Sequence, residues 1–329
     1  MKPKFKSAAL LLATTAAVAT SSGALAQACD MNAEENKLTI ASTDGVNHAT
    51  PFFVAQSEGF FDDACLNLTK VTLGSAGAPM LAALAAGDVD VSIAGAGAYL
   101  ASIVKGITPG KIIGVNTDSN YMMLAREGID SPSDLAGKAY GISGINSGDH
   151  LWSQAVVEHY GVGTKDVNWI PVGNPATRLA ALMQGSVDAI QMNGASAPPE
   201  AYEHVIVSMD DSPVHWLANG YFARQEIIDT KRDALVRLLA AIGKGAAAAR
   251  ADSAKAMKGC MDSGSTEKVC ETVVDFVMTS KNPYNWSATT GIPRVSVEEM
   301  VKAMAESVPE LQGRTAEDVA DFTIAAEGS

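Results

Sequence analysis

The chain has 329 residues, with 24 basic and 37 acidic side chains and a formal charge of −13 at neutral pH. It contains no run of lysines and arginines able to follow a phosphate backbone, and an acidic surface is repelled by nucleic acid and anionic lipid. Nucleic acid is therefore excluded as a partner, and the acidity reads as a solvated surface.

Lys2, Lys4 and Lys6 precede a small apolar stretch over 7–19, and Ala24-Leu25-Ala26 supplies small residues for cleavage. This predicts a secretory signal peptide over residues 1–28, too short in its apolar core to serve as a permanent anchor. Export to the periplasm follows, with about 300 mature residues, or about two domains by length. Cys29, Cys65, Cys260 and Cys270 all lie beyond the leader, where an oxidising compartment favours disulfides. Three connectivities are open; sequence proximity favours Cys29 with Cys65 and Cys260 with Cys270. Neither Cys-x-x-Cys nor paired histidines accompany them, so no metal and no cofactor are expected.

Residues 38–42 alternate as a strand, a loop covers 43–48, and Pro51 opens an apolar helix expected to run through Phe60. The next stretch occurs twice. Leu-Ala-Ala-Leu-Ala-Ala-Gly-Asp-Val-Asp begins at Leu81 and Leu-Ala-Ala-Leu-Met-Gln-Gly-Ser-Val-Asp at Leu179, with seven of ten positions identical. Each copy lies between apolar runs and reads as strand, short helix, strand, so two similar lobes are expected. A helix over 99–105 and strands over 112–115 and 121–125 come between the copies. Ser131-Pro132-Ser133-Asp134 is read as a turn, followed by a strand over 140–143 and a helix from Asp149 to Tyr160. After a strand at 205–207 and an apolar segment at 216–223, nearly everything from Glu226 onward reads as helix. The fold class is thus α/β with mostly parallel sheets. One lobe is discontinuous, 37–115 with 213–329 and the helical C-terminal region, around an inserted lobe over 118–210.

Ligands of such lobes meet the carboxyl ends of strands, where helix N-termini present free N–H groups. Four loops qualify: 44–50 with Asp44, Asn47 and His48; 74–79 with Ser75; 95–99 with Gly95 and Ala96; and 143–150 with Ser143, Asn146, Ser147, Gly148 and His150. In the last, Ser147 is placed to cap a helix whose N-terminus suits a carboxylate or sulfonate. No catalytic set emerges. Gly95-Ala96-Gly97 lacks the third glycine of a dinucleotide loop, and Gly141-Ile142-Ser143-Gly144-Ile145 lacks the last glycine of a nucleophile elbow.

With these residues assembled, the chain resembles the periplasmic substrate-binding proteins of ABC importers in the sulfonate/taurine/nitrate and thiamine-pyrimidine group. The likeness rests on Pro51-Phe52-Phe53-Val54-Ala55-Gln56-Ser57-Glu58-Gly59-Phe60-Phe61, on both copies of the repeat, and on Asp134-Leu135-Ala136-Gly137-Lys138 leading into Gly141-Ile142-Ser143. It implies a two-lobed, type II periplasmic-binding-protein-like fold closing on a small-molecule ligand, with importer permease subunits as partners and a monomeric chain. It adds Gln191, Asn193, Asn219 and Tyr221 to the cleft. Where many relatives have an aromatic-acid-Pro sequence, this chain has Gln191-Met192-Asn193. A small organic acid or sulfonate is the expected ligand, an uncharged heterocycle the alternative. An enzyme resembling the pyrimidine synthases is the rival function, although their cysteine-rich motif is missing here.

Overall fold

The computed structural model describes residues 29–42, 49–72, 77–115, 121–194, 197–208, 211–280, 285–305 and 308–328. The expected leader and the candidate residues Asp44, Asn47, His48 and Ser75 lie outside that set.

In chain order the first block runs β1 (Lys37–Ser42), α1 (Thr50–Ser57), α2 (Phe60–Asp63), β2 (Asn67–Thr72), α3 (Gly77–Ala86), β3 (Val91–Gly95), α4 (Ala96–Val104) and β4 (Gly110–Gly114). The second runs β5 (Tyr121–Ala125), β6 (Ala139–Ile142), α5 (Gly148–His159), β7 (Asn168–Pro171), α6 (Pro175–Met183), β8 (Ala189–Asn193) and β9 (Val205–Val207). The chain then forms β10 (Asn219–Arg224), α7 (Gln225–Thr230), α8 (Arg232–Ala251), α9 (Ser253–Asp262), α10 (Glu267–Thr279), α11 (Arg294–Met304), α12 (Ala316–Val319) and α13 (Phe322–Glu327). The helix expected from Pro51 through Phe60 is broken, because Gly59 adopts a left-handed φ of 77° between α1 and α2. The Ser131 turn forms a capping box, in which Ser131 Oγ accepts from Ser133 N–H and Asp134 Oδ2 accepts from Ser131 N–H.

The strands form two sheets of the same plan. Sheet 1 has the order β2-β1-β3-β10-β4, and sheet 2 the order β7-β6-β8-β5-β9. In each, the first three strands are parallel and the fourth is antiparallel to both neighbours. In each the fourth strand slips register against the fifth, between Tyr221 and Phe222 in one and between Met123 and Leu124 in the other. The chain leaves sheet 1 after β4, builds sheet 2, and returns to sheet 1 with β10.

The duplicated sequence is the source of this symmetry, as β2-α3-β3 in one sheet and β7-α6-β8 in the other. Its glycines, Gly87 (φ 85°) and Gly185 (φ 74°), end the two helices in the left-handed conformation that favours glycine. Its last aspartates then bind the start of the adjacent central strand. Asp90 Oδ2 accepts from Thr39 N–H at 2.9 Å, and Asp188 Oδ2 accepts from Ala139 N–H at 2.8 Å. Each aspartate also pairs with an arginine near the end of the antiparallel strand, Arg224 at 3.3 Å and Arg126 respectively. A Cβ on Gly87 would lie 3.3 Å from Arg224 Nη1, and one on Gly185 would lie 3.2 Å from Arg126 Nη1. Burial alone would raise the Asp188 carboxyl; the Ala139 N–H and the Arg126 guanidinium outweigh it and hold the group below the ordinary range.

Apolar cores lie on both faces of the sheets. Leu38, Ile40, Val91, Ile93 and Tyr221 pack with Phe52, Phe53, Leu235 and Leu239 of α1 and α8. A second cluster is continuous from Tyr99, Leu100 and Phe222 at sheet 1 to Tyr140, Trp152 and Val156 at sheet 2, through Val297, Met300 and Met304 of α11. The returning segment is tied to α11 as well, with His215 N–H donating to Glu299 Oε2 at 2.6 Å and Leu217 N–H facing Met300 Sδ at 3.1 Å.

Candidate ligand-binding cleft

Between the strand ends of the two sheets lies a cavity of about 510 Å³. Gly95 to Tyr99 form its sheet 1 side, Tyr121, Ser143 and residues 146–149 its sheet 2 side, and Trp216 and Ala218 its back. Met304 and Val308 close the remaining side. The N-termini of α4 and α5 face each other across it. Both carry glycine at the approach, and a Cβ built on Gly97 would lie 3.9 Å from Gly148 Cα. A smaller cavity of about 190 Å³ beside α5 and a shallow one of about 730 Å³ between α11 and residues 311–317 are not walled by the strand ends of both sheets.

The two helix N-termini differ. At α4 the N-cap is Gly95, which brings no capping side chain; Ala96 N–H is used by Ala218 O at 3.0 Å. At α5 the N-cap is Ser147, whose hydroxyl does not cap the helix but lies 2.6 Å from both Gly144 O and Asp149 Oδ1, its one proton shared between the two acceptors. Asp149 also accepts from Ser143 N–H at 2.7 Å and from the Ser143 hydroxyl. Behind it, Arg178 Nη1 lies 3.5 Å from Asp149 Oδ2, with both side chains buried. The rest of that guanidinium is fixed by Gly173 O at 2.8 Å, Gln191 O at 3.2 Å and Gln191 Oε1 at 3.0 Å. Gln191 Nε2 in turn donates to Asn193 Oδ1 at 2.9 Å. A chain of charge-assisted bonds thus joins the cleft loop to α6 and β8.

Aromatic groups supply much of the remaining wall. Tyr99 stacks on Phe222 with centroids 4.2 Å apart, and its hydroxyl meets Ser92 Oγ at 2.5 Å. Burial pushes the Tyr99 phenol up to about 12, with the Ser92 hydroxyl opposing. Tyr121 meets Trp152 edge-on at 5.6 Å, and burial together with the Asp149 charge holds its phenol above the ordinary range. Both phenols are therefore neutral at physiological pH and keep their O–H groups. Such a cavity, walled in comparable measure by apolar or aromatic groups and by fixed polar ones, is of the kind that holds a small polar organic molecule.

A family model described as NMT1/THI5 like matches residues 46–256, more than half of the chain. The chain belongs to the NMT1/THI5-like family. No curated protein matches its sequence. Solved structures show the fold at low identity. The putative periplasmic sulfonate-binding protein SsuA of an ABC transporter from Methylobacillus flagellatus KT is 18% identical, with a TM-score of 0.69 over 89% of this chain and 93% of its own. The periplasmic nitrate-binding protein NrtA from Synechocystis PCC 6803 is 13% identical, with a TM-score of 0.63 over 90% and 88%. The desulfurization enzyme DSZB is 16% identical, with a TM-score of 0.58 over 89% and 98%. The NMT1/THI5-like chain is thus a two-lobed α/β protein of the periplasmic-binding-protein fold. Among its described residues no helix is long and apolar enough to cross a membrane.

Of the residues singled out from sequence, the NMT1/THI5-like fold brings Gly95, Ala96, Ser143, Asn146, Ser147 and Gly148 to the cavity. It turns others elsewhere. His150 is buried, accepts from Asn146 N–H through Nδ1 at 2.9 Å and lies edge-on to Trp169. Gln191 is engaged with Arg178, and its Nε2 donates to Asn193 Oδ1. Asn219, half-buried, pairs with Gly95 across β10 and β3, while its neighbour Ala218 meets the cavity. Tyr221 points into the core under α1 and α8, its hydroxyl buried and unpartnered. Sequence reasoning missed Tyr99, Tyr121, Trp216 and Asp149. Asp149 had a legible signal, an acid in the first turn of a helix just after two serines. The aromatic groups had none, since each sits in a segment whose apolar pattern already reads as core. The disulfides are Cys29–Cys65 and Cys260–Cys270, each with Cα atoms 5.7 Å apart.

Proposed function

We propose that this protein is an extracytoplasmic solute-binding protein that captures a small polar organic molecule between its two lobes and delivers it to the permease subunits of an ABC importer. The observation that carries this reading is the 510 Å³ cavity walled by strand ends of both sheets, where closure covers a ligand from two sides. The acidic composition and the expected leader accord with a periplasmic location. In this reading the lobe pivoted against α11 is residues 118–210, and 37–115 with 213–329 form the other.

The fold by itself accommodates catalysis, as the desulfurization enzyme with the same architecture demonstrates. Capture without turnover is favoured because all four cysteines are oxidised and the serines at the cleft are hydrogen-bonded to a carboxylate and a carbonyl. None of the described cleft serines has a histidine partner to activate it. A thermal-shift screen of small organic solutes tests the reading. A ligand at a hundred times its dissociation constant adds about 2.7 kcal/mol of stability, so at least one class is expected to raise the melting temperature. A folded protein that responds to none, or that converts a hit to product, would refute it.

A further inference from the structure

We propose that Asp149 is the residue that sets the charge class of the cleft: it fills the oxoanion position at the N-terminus of α5 with the chain's own carboxylate, so that the ligand end facing this lobe is uncharged. The inference rests on the solute-capture reading and specifies which solutes are captured.

The loop leading into α5 was expected to bind an anion through Ser143, Ser147 and the helix N-terminus. Each of the two serines instead donates to Asp149: Ser143 N–H at 2.7 Å, the Ser143 hydroxyl, and the Ser147 hydroxyl at 2.6 Å. The buried counter-charge, Arg178, also faces Asp149, and its other N–H groups end on Gly173 O and both oxygens of Gln191. Asp149 is 8% exposed yet borders the cavity, so its charge is felt there with little screening. Against the Asp149 charge alone, a second anion at ~4 Å in a medium of effective dielectric ~20 would lose affinity by up to a factor on the order of a thousand, and Arg178 behind Asp149 offsets part of that loss. Among the described residues of the wall the sole base is Lys105, which is exposed at the far end of α4. The remaining wall near Asp149 is Gly148 and the neutral phenol of Tyr121, a surface suited to an uncharged polar or ring-bearing group.

Calorimetric titration of methanesulfonate, nitrate and acetate into the native protein, Asp149→Asn and Asp149→Ala tests the assignment, with circular dichroism and melting curves confirming each fold. Native protein is expected to show no saturable binding tighter than about 1 mM. At least one variant is expected to gain about tenfold or more for an oxoanion, and added salt should weaken that gain, because Arg178 and the serine donors are released. Native protein that binds an oxoanion tighter than this, with the binding lost in Ser143→Ala, overturns the assignment while leaving solute capture intact. Folded variants that gain nothing overturn it too. Asp149→Asn, which preserves volume and one acceptor, keeps the test decisive if Asp149→Ala does not fold. Failure of the capture reading is distinguishable, since it appears as a native protein that responds to no solute of any charge.

Discussion

Arg178 and Asp149 are a buried ion pair whose remaining bonds reach Ser143, Ser147, Gly173 and Gln191. Removing one partner of such a pair leaves the other charge desolvated and typically costs about 3–5 kcal/mol. Arg178→Ala should therefore destabilise the protein by that amount in urea unfolding, far more than truncation of an exposed arginine such as Arg314. Loss below about 1 kcal/mol would show that the pair is solvated in solution. His150 yields a prediction with a pH sign. Burial lowers its pKa, with Asp149 opposing, and Nδ1 accepts the Asn146 N–H, so the folded state holds the ring neutral. The unfolded chain takes up a proton first as pH falls through about 6.5, so this residue removes stability on acidification. His150→Asn should flatten the slope of unfolding free energy between neutral and mildly acidic pH, measured by denaturant titration at several pH values. An unchanged slope would mean that other groups carry it. At this scale the sequence identified the 143–150 loop but not how its polar groups are shared. Whether Ser143 faces a ligand or Asp149 depends on the φ of 61° at Asn146 and on Arg178, which approaches from α6.

Helices and strands were more legible, because their cues are local. The repeat forms the same strand-helix-strand unit in both sheets, and its glycine and aspartate serve the same purposes in both. The aspartates fix central strands and the glycines admit an arginine. Gly185→Val should consequently destabilise by roughly 1–3 kcal/mol, since it strains a left-handed backbone and crowds Arg126; Gly87→Val should behave alike. A large effect in one and none in the other would break the equivalence. Packing between helices was not visible. A Cβ on Gly245 of α8 would stand 2.2 Å from Pro51 O and 2.8 Å from Ala55 Cβ, so α1 and α8 meet at a glycine that an alanine-rich helix does not advertise. Gly245→Ala should cost at least about 1–3 kcal/mol by overpacking, read by thermal unfolding. Proximity anticipated the disulfides, which close segments of 36 and 10 residues. The helix from Pro51 was legible, but neither its break at Gly59 nor the restart into α2 was, since the apolar run continues through Phe60 and the restart depends on Phe61 entering the core beside Phe52.

Across the whole molecule, two sheets of identical order lean on one apolar cluster that passes through α11. That cluster joins the lobes on one side and leaves the cavity on the other, so relative motion of the lobes must repack Met300 and Met304 or pivot about them. The sequence implied the two lobes because a repeat is a local observation. It did not imply the C-terminal contribution to the cavity, since Met304 and Val308 reach it only through the packing of α11 across both lobes. Native mass spectrometry of protein purified without denaturation shows directly whether this cavity holds a solute. A noncovalent small-molecule mass is expected on the native protein, released on unfolding and absent from Gly148→Trp, whose indole is placed to fill the space before α5 and whose fold is checked by circular dichroism. Recovery of the native protein without adduct, before and after incubation with the solutes that shift its melting temperature, or an adduct retained in Gly148→Trp, would contradict it.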